Sequence, residues 1–159
     1  MTAEISSIAP SNKVALPYLI AALVSLVGLG DAIYLTVQHI TGESLRCTII
    51  SGCSEVLGSS YAQVGPVPLA AIGAAAYFTV FSLAILAAFG YQFAVPFLKA
   101  LLALMFLTTL WLLYLQAFVI RHFCQYCLLS AAVTVTVTVI AFLAGRSKLR
   151  TVIGSETSE

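Results

Sequence analysis

Charge is scarce in this chain. Only 8% of its 159 residues are charged, 61% are hydrophobic, and the mean hydropathy is +1.06. Such a composition cannot build an ordinary soluble surface, so it excludes a soluble domain and implies an integral membrane protein. The net charge of +1 carries no message about nucleic acid or acidic ligands, and no nucleic-acid partner is expected. The sequence has no internal repeat and no glycine-rich loop of the kind that cradles a phosphate or a flavin. No convincing cleavage site follows the first apolar stretch, which is also too long for a signal-peptide core. Cysteine is limited to four residues, Cys47, Cys53, Cys124 and Cys127.

What remains is long apolar runs. A hydrocarbon core about 30 Å thick takes about 20 apolar helical residues to cross. Four stretches reach that length: Val14 to Val37, Val67 to Phe89, Ala100 to Ile120, and Cys124 to Ala144. Helices are expected rather than a barrel, because the runs are uninterrupted and twice a barrel strand's length. The segment Val133-Thr134-Val135-Thr136-Val137-Thr138-Val139 alternates as a half-buried strand would. It lies inside a span without charge, where threonine hydroxyls can bond back to the preceding turn, so it too reads as helix. The expected fold is all-α: one four-helix transmembrane domain at residues 14–144, between tails at 1–13 and 145–159.

Sidedness follows from the basic residues. Lys13, Lys99, Arg146, Lys148 and Arg150 fall on the side of the termini, against Arg46 and Arg121 on the other. Both termini are therefore expected in the cytoplasm, with the loop from Gln38 to Pro66 and the turn Arg121-His122-Phe123 facing outward. All four cysteines then lie on the outer face, where disulfides form and persist.

The cysteines come in two pairs. Cys124-Gln125-Tyr126-Cys127 opens the last span; residues three apart share a helix face, and a helix N-terminus favours a thiolate. Cys47 and Cys53 lie in the polar loop, with Ser51-Gly52 between them. Together the pairs suit exchange, since a dithiol that relays electrons needs a second within contact. Three other readings of the same residues stay open: buried inert thiols with a static loop staple, a non-enzymatic scaffold, or a structural zinc site formed by all four cysteines. The spacing disfavours zinc, whose structural sites use close ligand pairs on both sides.

The arrangement resembles the vitamin K epoxide reductase family, in its bacterial homologues, over nearly the whole chain. Beyond the four cysteines and the helix order, the resemblance rests on Tyr34-Leu35-Thr36, on Cys53-Ser54-Glu55-Val56-Leu57-Gly58-Ser59-Ser60-Tyr61 and on Gly65-Pro66-Val67-Pro68-Leu69. The other four-helix thiol oxidase family, the disulfide-bond protein B type, carries its Cys-x-x-Cys in the first outward loop, the reverse order. The resemblance implies a thiol-quinone oxidoreductase in the bacterial cytoplasmic membrane that oxidises a thioredoxin-fold partner dithiol and reduces menaquinone, ubiquinone or phylloquinone. It implies that Cys47 exchanges with the partner, that Cys53 passes electrons to Cys124, and that Cys127 faces the quinone. Ser59 falls where the family has a polar residue beside the quinone pocket. The vertebrate enzymes have an asparagine at the start of the second helix and a tyrosine four residues after the Cys-x-x-Cys; here Leu69 and Ala131 stand there, which favours simple quinone reduction over epoxide reduction.

Among the remaining polar residues, Asp31 is the one acidic residue within a span and hence a functional candidate. It lies about 10 Å from the outer end near Gln38, so a carboxylate reaching interfacial water is the favoured reading, with proton delivery to the quinone as the alternative. His39 and His122 read as interfacial, Trp111 and Tyr114 as packing or belt aromatics, and Gly28 and Gly30 as sites of close helix packing.

Overall fold

The computed structural model describes residues 12–42 and 53–156, without the side chains of 12–15, 55 and 145–156. Four of its helices are long and apolar enough to cross a membrane. Helix α1 spans Asn12–Thr41, α2 is a short turn at Cys53–Leu57, α3 spans Leu69–Ala88, α4 spans Ala94–Tyr114 and α5 spans Gln125–Glu156. Between α2 and α3 come a 3-10 turn at Ser60–Ala62 and a two-stranded antiparallel ribbon, with Gln63 opposite Pro68 and Val64 opposite Val67. Gly65 turns that ribbon in the left-handed region, at φ +64°, where a side chain would be strained.

Each long helix packs chiefly on two others: α1 on α3 and α5, and α4 on α3 and α5. The four therefore form a ring with α1 and α4 diagonally opposed. Without a hydrophobic force between helices in lipid, close approach of small residues holds such a ring together. Ala21, Ala22, Ala84, Ala94 and Ala141 are fully buried accordingly, with Tyr18, Val80, Leu98, Leu102 and Val137 filling the space between them. This core occupies the half of the bundle away from the cysteines. Gly28 is a point of contact, since a Cβ there would lie 2.5 Å from the Tyr77 ring; Gly30 has nothing within 4 Å and plays no such part.

The Val133 to Val139 segment is helical, as expected. Val133, Thr134 and Val137 are buried at helical spacing, while the Thr136 and Thr138 hydroxyls donate to the carbonyls of Ala132 and Thr134, each at 2.7 Å. Some boundaries differ from the sequence reading. The third span starts at Ala94, so Lys99 sits within α4 near its start, its ammonium 5.9 Å from the centre of the Phe142 ring. At the other end, α5 does not stop at Ala144 but continues through the expected tail to Glu156. Nor does α4 run regularly to Ile120: Leu115–Ile120 is π-helical, and Arg121 then turns the chain with a left-handed backbone, φ 57°. Trp111, Tyr114 and Phe118 stack in a column on the outer face of this stretch.

Candidate active site at the cysteine end of the bundle

The site is built around the first turn of α5. Cys124 stands one residue before that helix and its transmembrane span, and its carbonyl accepts the N–H of Leu128 at 3.0 Å. It thus occupies the capping position, where the first backbone N–H groups of a helix lack intrahelical partners. Its sulfur takes their place as acceptor. The Cys127 thiol donates to it, and so do the backbone N–H groups of Cys127 and Tyr126. These bonds, the Cys127 thiol first among them, lower Cys124 from the ordinary thiol value to about 7, although burial works in the opposite sense. Cys124 and Cys127 are free thiols, whereas Cys53 is disulfide-bonded.

The backbone N–H of Cys124 is also used. It donates to Gln116 Oε1 at 3.1 Å, and Gln116 is itself buried in the π-helical segment. Gln116 therefore ties the end of the third span to the start of the fourth and fixes where Cys124 sits. On the outer side, the Tyr126 ring packs against Tyr34 of α1, centroids 5.3 Å apart, linking the Cys-x-x-Cys to the Tyr34-Leu35-Thr36 stretch.

Helix α2 covers this turn. Cys53, 1% exposed, and Cys124, 0% exposed, share one buried cluster with Val56, against which Leu57, Ile120, Tyr126 and Cys127 pack. The structure thus brings Cys53, Cys124 and Cys127 together; Cys47 lies outside the described residues. Among the described residues, no group of three or more His, Cys, Asp or Glu is arranged to hold a metal ion.

Beneath the cluster lies a cavity of about 490 Å³ enclosed by all four long helices, and Cys127 is in its wall. Its lining is mostly apolar. Ile72 of α3 and Leu104 of α4 line it and are exposed in the bundle. The size and the apolar walls with a few polar groups match a site for one small, largely apolar ligand.

Ser59 and Asp31 both reach this cavity. The Ser59 hydroxyl donates to the Val56 carbonyl at 2.7 Å, so it offers lone pairs rather than a proton to whatever the cavity holds. Asp31 does not extend to the interface as the sequence reading favoured. It is 9% exposed, it forms part of the cavity wall, and its Oδ2 has no hydrogen-bond partner. Close by, the Tyr77 hydroxyl bridges to the Ser130 carbonyl, the Ser130 hydroxyl and the Thr134 hydroxyl, each at 2.8 Å. His39 lies in the wall, whereas His122 is exposed in the turn outside it.

The profile of the vitamin K epoxide reductase family matches residues 19–142, more than three-quarters of the chain. The chain belongs to this family. Vitamin K epoxide reductase family members are membrane-bound oxidoreductases that join thiol-disulfide chemistry to quinones, and the fold, the cysteine end and the apolar cavity of this chain accord with that class. Two contributors were not legible in the motifs: Gln116, and the Tyr77, Ser130 and Thr134 cluster. The first carried a usable signal, as the one amide in the third apolar run, eight residues before Cys124. Tyr77 carried none, because an aromatic residue in a transmembrane helix is ordinary.

Proposed function

We propose that this protein is a thiol-quinone oxidoreductase that oxidises the dithiol of a thioredoxin-fold partner through its four cysteines and reduces a membrane quinone, supporting disulfide bond formation. Cys47 exchanges with the partner and forms the loop pair with Cys53. Cys53 then passes the reducing equivalents to Cys124. Oxidation of Cys124 and Cys127 to a disulfide delivers two electrons and two protons to the acceptor in the cavity. The observation that carries the reading is that Cys124 sits between two environments: it shares a sealed cluster with Cys53, while Cys127, one helical turn on, faces an apolar cavity. A pair so arranged can take electrons from a protein thiol on one side and release them to a lipid-soluble molecule on the other.

The cavity suits a quinone ring in volume and in apolar lining. The quinone, menaquinone, ubiquinone or phylloquinone, supplies the terminal two-electron acceptor. Ser59 would accept a hydrogen bond from the reduced ring, and Cys127 would stand against it. The protein lies in the bacterial cytoplasmic membrane, with both termini cytoplasmic and the cysteines facing outward. With Leu69 and Ala131 in place of asparagine and tyrosine, the reaction is quinone reduction rather than epoxide reduction.

The test is a quinone difference spectrum recorded while the purified protein receives a reduced thioredoxin-fold substrate. Quinol should accumulate with the wild-type protein and not with Cys47→Ala, Cys53→Ala, Cys124→Ala or Cys127→Ala. Full turnover by Cys124→Ala or Cys127→Ala would end the reading. A disulfide count unchanged by quinone would instead support an inert scaffold, and stoichiometric bound zinc a structural metal site.

A further inference from the structure

Asp31 is on the cavity face of α1, where Ala32 and Leu35 join it in the wall. A carboxyl group in a membrane protein is costly unless its oxygens are satisfied, and an oxygen left without a partner marks a hydrogen-bonding capacity that no protein group uses. Asp31 Oδ2 is such an atom, on a residue about nine-tenths buried, at the edge of a space lined mostly by hydrocarbon. The group available to it is the occupant of the cavity. Its charge also acts on Cys124 and Cys127, so it lies within electrostatic reach of the sulfurs as well.

The chemistry proposed above leaves one task unassigned. Two S–H bonds break and one S–S bond forms as the pair is oxidised, while two O–H bonds form as the quinone is reduced. Electrons and protons balance, but the protons begin on sulfur and end on ring oxygens. Ser59 donates its proton elsewhere, and Tyr77 is engaged with Ser130 and Thr134. We propose that Asp31 is the proton carrier of this site, taking up a proton released as Cys127 is oxidised and donating it to a ring oxygen of the quinone. This rests on the thiol-quinone reading and adds the residue that completes its proton balance. The titratable groups that face Asp31 or share its cavity are Tyr77 of α3, Cys124 and Cys127 at the start of α5, His39 of α1 and Tyr61 of the loop before α3.

The full-length protein in lipid vesicles, with a short-chain ubiquinone as acceptor, separates these groups when two half-reactions are followed across pH. One is quinol formation; the other is quinone-free exchange of the Cys124 and Cys127 disulfide with a reduced thioredoxin-fold substrate. Asp31→Asn keeps the shape of the side chain and removes the proton. It should lower kcat for quinol formation by roughly 100-fold, the usual scale of acid-base catalysis, and leave the exchange rate within about three-fold. One ionisation should vanish from the pH profile of quinol formation alone, because the thiols contribute to both half-reactions. Asp31→Glu should recover most of the rate with that ionisation displaced. Wild-type rates and an unaltered pH profile in Asp31→Asn would overturn the assignment, as would an equal loss in both half-reactions, which is the mark of a structural role. A wild-type protein that forms no quinol would fail the thiol-quinone reading itself, and this proposal with it.

Discussion

Cys124 caps the helix it precedes, and its reactivity follows from that position. Backbone N–H groups that would otherwise need a serine or aspartate cap point at its sulfur, and the thiol of Cys127 adds a third donor. The thiolate is stabilised inside the protein because its charge is shared among donors fixed by the fold. In the fully reduced protein, a titration followed by thiolate ultraviolet absorbance should show a transition near pH 7 that is lost in Cys124→Ala. Cys127→Ala removes the largest stabilising bond, so the transition should move to higher pH and the thiolate fraction at neutral pH should fall. A transition that stays put in Cys127→Ala would show that the thiol bond does not set it. Gln116 supports the same residue through its backbone: its Oε1 accepts the Cys124 N–H, and a buried N–H left without that acceptor costs about 1–3 kcal/mol. At this scale the sequence was half legible. The spacing of Cys124 and Cys127 and the helix start announced a reactive pair, but a lone glutamine and a tyrosine hydroxyl acquire meaning only through partners eight and more than fifty residues away.

The long helices were legible because hydropathy over 20 residues is a strong signal in a chain this apolar. The short elements were not. Helix α2 has five residues, too few to show a period, and the π-helical turn at Leu115–Ile120 leaves no mark in an apolar run that reads as continuous helix. Yet these two elements form the walls of the buried cluster, with α2 bringing Cys53 against the start of α5. A disulfide needs Cα atoms within about 7 Å, so the order of the relay can be tested through this contact. With Cys47→Ala and Cys127→Ala combined, Cys53 and Cys124 remain, and they should form an intramolecular disulfide readily, seen by mass spectrometry of non-reduced peptides. With Cys53→Ala and Cys127→Ala combined, Cys47 and Cys124 remain and should cross-link slowly or not at all. Equal or faster cross-linking in the second variant would exchange the roles assigned to Cys47 and Cys53.

Four spanning helices put the two ends of the bundle's chain on one side of the membrane, and the helix ring leaves the cysteine end on the other. Which side is which rests on the basic residues, several of them beyond the described side chains. In sealed vesicles of native orientation, a membrane-impermeant thiol reagent should label reduced Cys47 from the outer face, and a reporter fused after Glu159 should report the cytoplasm. Reversal of either would reject the orientation and with it an outward partner. The sequence disclosed the number of spans, through hydropathy, but not that the ring would leave a space near its cysteine end, because a cavity depends on which faces meet.

Cys53 of α2 and Cys124 are buried against each other's surroundings, and this bears on selectivity. A wire that ran through open solvent would leak: any small thiol, peroxide or stray disulfide at the membrane surface could draw current from it. Here the junction is insulated, its sulfurs sheathed by Val56, Leu57, Ile120 and Tyr126. In the relay proposed above, such a junction would be reached from outside only through Cys47, which would confine the traffic to proteins able to engage that cysteine and protect the bilayer's pool of oxidant from being spent on the wrong thiols.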